Sequence, residues 1–165
     1  MNVIIIGSAR HGKDTVAQCL KDNFNYQFKS SSVAASEIFL FDALKDKYGY
    51  KTPEECFEDR VNHREEWYDL ICEYNKELPC RLANEIFKEN QIYVGMRNSE
   101  ELRSCREQGI VDLVIGVYDP RKPEEHKGSY TIDFWKESDI VIPNSGDLSD
   151  LEQKVETLGW MLHHM

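Results

Sequence analysis

The sequence lacks the features that mark several classes of protein. Its cysteines are odd in number, scattered and without a C-x-x-C pair, so they indicate neither a zinc site nor a disulfide framework; they are Cys19, Cys56, Cys72, Cys80 and Cys105. No apolar run approaches the length that crosses a bilayer, and Met1 leads into a short apolar run with no room for a signal peptide. We therefore expect a protein of the reducing cytoplasm.

Basic residues are scarce as well. The 165 residues include 30 acidic and 20 basic ones, which gives a formal net charge of −10. This charge argues against a nucleic-acid polymer or an anionic membrane as partner. At 41% hydrophobic residues, the chain has room for one domain with a real core, which we place over 1–165, and it leaves open whether the protein is a monomer or a homodimer.

The first fifteen residues organise the rest of the chain. The β-branched run from Val3 to Ile6 is followed at once by glycine, which is typical of a buried parallel strand. The next nine residues, GSARHGKDT, match the phosphate-binding loop: two glycines five apart, with Lys13 directly after the second. The glycines let the backbone close around an anion, so that N–H groups and the next helix point at phosphate oxygens. The alternative is a plain glycine-containing turn.

The residue after the lysine departs from the common loop. It is usually Ser or Thr, whose hydroxyl binds Mg²⁺, whereas here it is Asp14, with Thr15 one place later. A G-K-x-T ending resembles nucleoside monophosphate kinases, and this resemblance implies that Thr15 touches the α-phosphate while the metal relies more on phosphates and water. Asp14 has an equally good interpretation as an acidic residue in the first turn of a helix, where the helix dipole favours it.

Strand and helix signals alternate along the chain. We predict strands at 3–6, 26–29, 92–96, 113–118 and 139–143, and helices at 16–22, 33–44, 59–75, 81–89, 99–108 and 148–162, with a brief one after Thr52. Such alternation predicts a parallel sheet with helices on both faces and a ligand at the carboxyl ends of the strands. A helical segment at about 33–90 would cover the ligand, and a polar, proline-containing segment at about 119–131 predicts a lid-like loop.

Four segments together carry a family resemblance. They read GSARHGKDT, IYVGMRNSEELRSCREQG, DLVIGVYDP and DIVIPNSGDLSDLEQKV. In combination they resemble the phage deoxynucleoside monophosphate kinases, a branch of the P-loop kinases related in fold to dephospho-CoA kinase. The resemblance implies a three-layer α/β P-loop kinase fold with a five-stranded parallel sheet in the order 2-3-1-4-5. It also implies transfer of the γ-phosphoryl group of ATP, with Mg²⁺, to a (deoxy)nucleoside monophosphate, in the host cytoplasm if the source is a phage.

The resemblance also implies roles for single residues. Lys13, Arg97 and Arg121 would be catalytic, because phosphoryl transfer needs cations that align anionic groups and neutralise spreading charge. ATP would contact the loop and a residue after the last strand, namely Gly7, Ala9, Arg10, His11, Gly12, Lys13, Asp14, Thr15 and Asn144. The acceptor would contact Ser36, Arg60, Arg64, Trp67 and Arg97. We expect no protein-only metal site.

Several of these roles have a structural alternative. Arg97 would otherwise pair with Glu100 or Glu101 on the next helix. Arg121 would lie on a free surface loop, and Asn144 would be an ordinary turn asparagine. The basic residues of the helical segment would form a solvated face, and core packing explains Trp67 equally well.

Two positions depart from the family pattern. Gly95 stands where the family has an acidic residue two places before the arginine of the third strand. Asp119 stands where the family has a lid arginine before proline. Two other functions therefore stay open: a kinase of another small phosphorylated acceptor, such as a coenzyme precursor, and a non-catalytic regulatory protein that binds nucleotide. A GTPase switch is disfavoured, since no N-K-x-D segment is present.

Overall fold

Five parallel strands form the centre of the protein. The structure is a computed structural model that describes residues 1–125, 128 and 130–165. The strands are β1 (Val3–Ile6), β2 (Phe28–Ser30), β3 (Ile92–Val94), β4 (Leu113–Tyr118) and β5 (Ile140–Pro143), and they lie in the order β2-β3-β1-β4-β5. The predicted fold class and the predicted strand order are both confirmed.

At least one helix follows each of these strands. The helices are α1 (Lys13–Phe24), α2 (Ser31–Ala35), α3 (Phe41–Tyr48), α4 (Pro53–Asp59), α5 (Arg64–Tyr74), α6 (Arg81–Phe87), α7 (Ser99–Glu107), α8 (Phe134–Glu137) and α9 (Leu148–His163). A π-helical turn, Ser36–Leu40, joins α2 to α3, and a 3-10 turn, Arg60–Asn62, precedes α5. Along the described ranges 1–125, 128 and 130–165, no helix has the length and apolar character needed to cross a membrane.

The core is divided by the sheet into two layers. All four residues of β1 are fully buried, with Ile4 and Ile6 in one apolar cluster and Val3 and Ile5 in the other. The first cluster includes residues of α2, α6 and α7, and the second includes residues of α1 and α9. A parallel sheet covered on both faces reads as a continuous apolar strand, which is why β1 could be predicted from four letters.

A buried carboxylate joins the helical segment to the sheet. The Glu101 side chain in α7 accepts hydrogen bonds from Asn75 Nδ2 at 3.0 Å and from the Tyr93 hydroxyl at 3.4 Å. Asn75 Oδ1 in turn accepts from the backbone N–H of Leu82 at 3.1 Å, at the start of α6. Burial raises the pKa of Glu101 to about 7, although both hydrogen bonds oppose this shift. A titratable group therefore sits in the core far from solvent.

Several predicted boundaries need correction. The second strand lies at Phe28–Ser30 rather than 26–29, and its last residue, Ser30, caps α2 by accepting from the Val33 N–H. The helix predicted over 59–75 is interrupted at His63, whose φ of −136° is not helical. The helix predicted to end at residue 89 ends at Phe87. The four-residue helix α8 was missed, since it is too short to show a periodic pattern.

The division of the chain into segments stays a prediction. The helical segment predicted at about 33–90 contains α2 to α6 together with the π-helical and 3-10 turns. The lid-like loop predicted at about 119–131 includes His126, Lys127 and Ser129, which lie outside the described residues.

Candidate phosphate-binding site

The phosphate loop between β1 and α1 has the backbone that its glycines allow. Gly7 has a φ of +147°, and a Cβ there would lie 2.4 Å from the Val117 carbonyl oxygen. Gly12 has a φ of +106°, and its Cβ would lie 2.7 Å from Asn144 Nδ2. Both positions therefore exclude a side chain by backbone angle and by space. Ala9 and Arg10 are exposed on the loop, and Arg10 adopts a left-handed φ of +66°.

Lys13 folds back over the loop that precedes it. Its ammonium donates to the Ser8 carbonyl oxygen at 2.8 Å. Burial, and after it the charge of Arg97, lowers the pKa of Lys13 to about 8, and the charge of Asp14 opposes both effects. The lysine thus lies within electrostatic reach of Arg97, which the chain contributes from the end of β3.

The ring of His11 connects the phosphate loop to the segment after β4. It is 1% exposed, and its Nδ1 accepts the backbone N–H of Asp119 at 3.0 Å. The proton therefore resides on Nε2, which donates to the Pro123 carbonyl oxygen at 3.0 Å. The ring of His11 is therefore engaged within the protein, and its predicted contact with ATP stays a prediction.

Arg121 and Asn144 lie together beside the loop. Arg121 makes a two-point ion pair with Asp119, with Nε–Oδ1 at 2.9 Å and Nη2–Oδ2 at 3.1 Å, and Nη2 also donates to the Asn144 carbonyl oxygen at 3.2 Å. The Asn144 side chain donates to the His11 carbonyl oxygen at 3.1 Å. The hydrogen bond from Arg121, more than any other contact, lowers the pKa of Asp119 to about 2. Arg121 is therefore held by Asp119 rather than lying on a free surface loop.

Arg97 and the loop share one carboxylate. Glu125 Oε1 accepts the backbone N–H of Ala9 at 2.7 Å, while its other oxygen forms an ion pair with Arg97. The Glu125 backbone N–H donates to the Ser8 hydroxyl at 3.0 Å. The alternative partners that the sequence suggested for Arg97, Glu100 and Glu101, do not pair with it. Glu125 was not predicted, because nothing local distinguishes it from other acids in a polar loop.

Two further arginines approach the same place from the helical segment. Arg60 donates to the Phe57 carbonyl oxygen at 2.9 Å and stacks 3.8 Å from the centre of the Phe57 ring. The Arg64 side chain is exposed and makes no hydrogen bond or ion pair to any other residue that the structure describes. Burial, and after it the charge of Arg64, lowers the pKa of Arg97. Positive charge from β3 and from α5 therefore converges near the phosphate loop.

The other two predicted acceptor residues are buried. Ser36 is 2% exposed, and its hydroxyl donates to the Val33 carbonyl oxygen at 2.8 Å within the helix. Trp67 is 4% exposed and packs in the first core cluster. The burial of Trp67 agrees with the core-packing alternative given for it. Contact of Ser36 and Trp67 with an acceptor stays a prediction.

The first departure from the family pattern has a backbone explanation. Gly95 has a φ of +90°, its N–H donates to the Ile5 carbonyl oxygen at 3.0 Å, and its own carbonyl oxygen accepts from the Ser31 hydroxyl at 3.2 Å. A Cβ would find space there, with Ser31 Oγ 3.5 Å away, but the φ value strains any L-residue. An acidic side chain at this position would require a different backbone.

The start of α1 carries side-chain oxygens next to Lys13 that could bind a metal ion. Asp14 is exposed and Thr15 is half-buried, and both line one groove with Lys29 and Ser30. Within the described part of the chain, no group of three His, Cys, Asp or Glu side chains is placed to hold a metal ion. One carboxylate and one hydroxyl fit an Mg²⁺ ion that is held mainly by phosphate oxygens and water.

The fold is shared with solved structures of small-molecule kinases. No protein-family model matches the sequence, and no curated protein matches it either. Dephospho-CoA kinase from Campylobacter jejuni is similar in structure, with a TM-score of 0.55 and 12% identity over 95% of this chain and 94% of that one. Shikimate kinase from Acinetobacter baumannii, in complex with shikimate, gives a TM-score of 0.52 and 15% identity over 95% and 91%. At such identities the likeness shows the fold alone, which is that of the P-loop kinases.

Proposed function

We propose that this protein is a small-molecule kinase that transfers the γ-phosphoryl group of ATP to a (deoxy)nucleoside monophosphate and gives the diphosphate. The observation that carries this proposal is the shared carboxylate, since one anionic group is held at once by the Ala9 N–H and by Arg97. A phosphoryl group passing from donor to acceptor needs the same arrangement, with backbone donors on one side and a guanidinium on the other.

The catalytic work is electrostatic. Phosphoryl transfer asks the protein to align two anionic groups and to neutralise the charge that spreads between them. Lys13 would hold the β- and γ-phosphates, and Arg97 would hold the acceptor phosphate or the transferring group with its planar fork. Arg121 would neutralise charge on the γ-phosphate side, with Asp119 as the residue that positions it.

Mg²⁺ would be bound with the nucleotide. Asp14 and Thr15 are the side chains beside Lys13 that would hold it, directly or through water. When bound, the ion would neutralise charge on the β- and γ-phosphates. The charge of Asp14 also favours the charged form of Lys13, although burial and Arg97 together still lower the pKa of the lysine.

The acceptor is the open part of the proposal. Arg60 and Arg64 suit any small molecule that carries a phosphate, because a guanidinium recognises phosphate without reading the rest of the ligand. A kinase of another phosphorylated acceptor is therefore a second candidate, and the fold shared with a dephospho-CoA kinase makes that compound a sensible member of the test panel.

The test is ADP release from ATP and Mg²⁺ against a panel of ribo- and deoxyribonucleoside monophosphates, dephospho-CoA and a no-acceptor control. The phosphorylated product is identified directly by mass spectrometry. We expect a diphosphate product from at least one nucleoside monophosphate and little ADP without acceptor. Turnover with dephospho-CoA alone would select the second candidate. ATP binding without turnover on any acceptor would favour a regulatory nucleotide-binding protein instead.

A further inference from the structure

We propose that Glu125 is an internal competitor for phosphate, whose carboxylate occupies the anion position between the phosphate loop and Arg97 and must leave before substrate phosphate binds there. This inference rests on the proposed function and concerns how the same site is regulated. Its basis is that both carboxylate oxygens are engaged: one accepts the Ala9 N–H at 2.7 Å, and the other pairs with Arg97.

The competition follows from the chemistry of the two groups. Carboxylate and phosphate oxygens both accept charge-assisted hydrogen bonds from backbone N–H groups and from guanidinium. The Ala9 N–H has a single proton, so it serves one acceptor well at a time. A phosphate brought beside the Glu125 carboxylate would also meet like-charge repulsion in a partly buried site. Phosphate and Glu125 therefore exclude each other at this position.

The carboxylate is not needed to anchor its own segment. The Glu125 backbone N–H is already held by the Ser8 hydroxyl, and the Pro123 carbonyl oxygen is held by the His11 ring. These two contacts fasten the chain on either side of Glu124 without using the Glu125 side chain. The Glu125 side chain is nevertheless only 14% exposed, whereas Glu124 is exposed and makes no hydrogen bond or ion pair with another described residue. The pairing with the loop is thus specific to one of two adjacent glutamates.

The size of the effect depends on how often the carboxylate is seated. A ligand that binds only the open form has its apparent dissociation constant raised by the inverse of the open fraction. If Glu125 is seated in about nine molecules of ten, its removal tightens binding roughly tenfold. Its displacement also frees Arg97, so binding of nucleotide and readiness of the arginine would be coupled.

The experiment compares Glu125→Gln with the matched control Glu124→Gln in the full chain. Both variants lose one negative charge from neighbouring positions, but only the first loses the seated carboxylate. The dissociation constant for ATP is measured by calorimetry for each variant and for the wild type. We expect about tenfold tighter binding for Glu125→Gln and less than a twofold change for Glu124→Gln. Glu125→Asp, which keeps the charge on a shorter stem, covers the case in which the amide variant fails to fold, and it should also bind ATP more tightly.

Other outcomes would overturn the inference. An equal rise in affinity in the two amide variants would mean that charge alone matters, and wild-type affinity in both would mean that the Glu125 carboxylate does not compete. Weaker binding by Glu125→Gln would mean that the carboxylate helps to hold the nucleotide. With any of these results, normal phosphoryl transfer by the wild type would leave the proposed kinase function standing, while competition by Glu125 would be rejected. Tighter binding by Glu125→Gln without transfer to any acceptor would support the competition and reject the kinase. No ATP binding by any variant would end both.

Discussion

The two sides of the candidate site are held in different ways. On the side of the phosphate loop, Lys13 and Arg121 each have a partner within the protein: Lys13 the Ser8 carbonyl oxygen and Arg121 the Asp119 carboxylate. On the side of the helical segment, the Arg64 side chain has no hydrogen bond or ion pair with another described residue. Among those residues, the Arg60 guanidinium binds only the carbonyl oxygen and the ring of Phe57. Arg97 lies between the two sides and forms an ion pair with Glu125.

This difference separates what the fold builds from what a ligand must organise. Cations that are already fixed spend little conformational entropy when a phosphate arrives, so the loop side is preorganised. An exposed arginine loses rotamer freedom only when the acceptor binds it. We therefore expect variants of the loop side to act on the rate of transfer and variants of the helical side to act on acceptor affinity.

Replacing Lys13 would have the largest effect. Lys13→Ala removes the cation that follows the second glycine of the loop, and we expect kcat/KM to fall on the order of 10³-fold. The thermal midpoint should stay close to wild type, because the glycine backbone rather than this side chain makes the turn. ADP release measures kcat/KM, and calorimetric unfolding measures the thermal midpoint. Lys21→Ala, on the same helix, is the control. Wild-type turnover in Lys13→Ala would contradict the kinase assignment.

Replacing Arg121 comes next. If this guanidinium faces the γ-phosphate, Arg121→Ala lowers kcat on the order of 10²-fold with little change in acceptor KM. Asp119→Asn should lower kcat less, because Arg121 keeps its hydrogen bond to the Asn144 carbonyl oxygen. Steady-state kinetics of both variants, with Arg103→Ala on the surface of α7 as control, separate these effects. Unchanged turnover in Arg121→Ala would remove it from the catalytic residues.

Replacing Arg64 probes the other side. Arg64→Ala should raise the KM for the acceptor roughly tenfold and leave the KM for ATP nearly unchanged, since it removes one charge-assisted contact to the acceptor phosphate. Lys45→Ala, an exposed cation in α3 of the same segment, should change neither constant. An equal rise in both KM values would show that the two sides are not separate.

The pH profile tests the loop side without mutation. Because burial lowers the pKa of Lys13 to about 8, the ammonium is charged below that pH and neutral above it. We expect kcat/KM for ATP to fall about tenfold for each pH unit above 8, since kcat/KM reports the free enzyme. In Lys13→Arg the fall should disappear between pH 7 and 9, even at lower activity. A profile in this variant that still falls would assign the titration to another group.

The smallest effect concerns stability rather than rate. The folded pKa of Glu101 is raised to about 7 from 4.5, so the folded chain keeps a proton that the unfolded chain releases between those values. The free energy of unfolding should therefore decrease by about 3 kcal/mol as pH rises from 4.5 to 7, and then level off. Denaturant unfolding of Glu101→Gln should lack this slope, whereas Glu100→Gln, on the exposed side of α7, should keep it.

The parts of the site that are local in sequence could be predicted, and the parts made by distant contacts could not. Gly7, Gly12 and Lys13 announce the loop because their roles depend on neighbours in the chain. Glu125 joins Ala9 across 116 residues, and no periodicity or spacing marks such a partner. The Asp119–Arg121 pair is local and could have been found, since an acid two places before an arginine in a turn readily pairs with it.

In the fold, likewise, the sheet could be predicted and the orientation of single helical side chains could not. The parallel sheet could be predicted from the apolar runs of β1 and β4 and from the alternation of strands with helices. A strand buried on both faces has a continuous apolar sequence, which is easy to detect. The predictions for Ser36 and Trp67 relied on a helix facing a ligand, and the π-helical turn at 36–40 and the core contacts of Trp67 decide which way those side chains face. That choice is made by tertiary packing, which no single helix encodes.

The ring of His11 offers a spectroscopic reporter in ¹⁵N-labelled protein, with no attached probe. Its Nε2 proton lies between a buried imidazole and the Pro123 carbonyl oxygen, so it should exchange slowly with water and give its own resonance in ¹H–¹⁵N spectra. That signal comes from a hydrogen bond two residues before Glu125. A titration with nucleotide would therefore show, in one peak, whether the segment after β4 stays attached to the phosphate loop while the carboxylate moves.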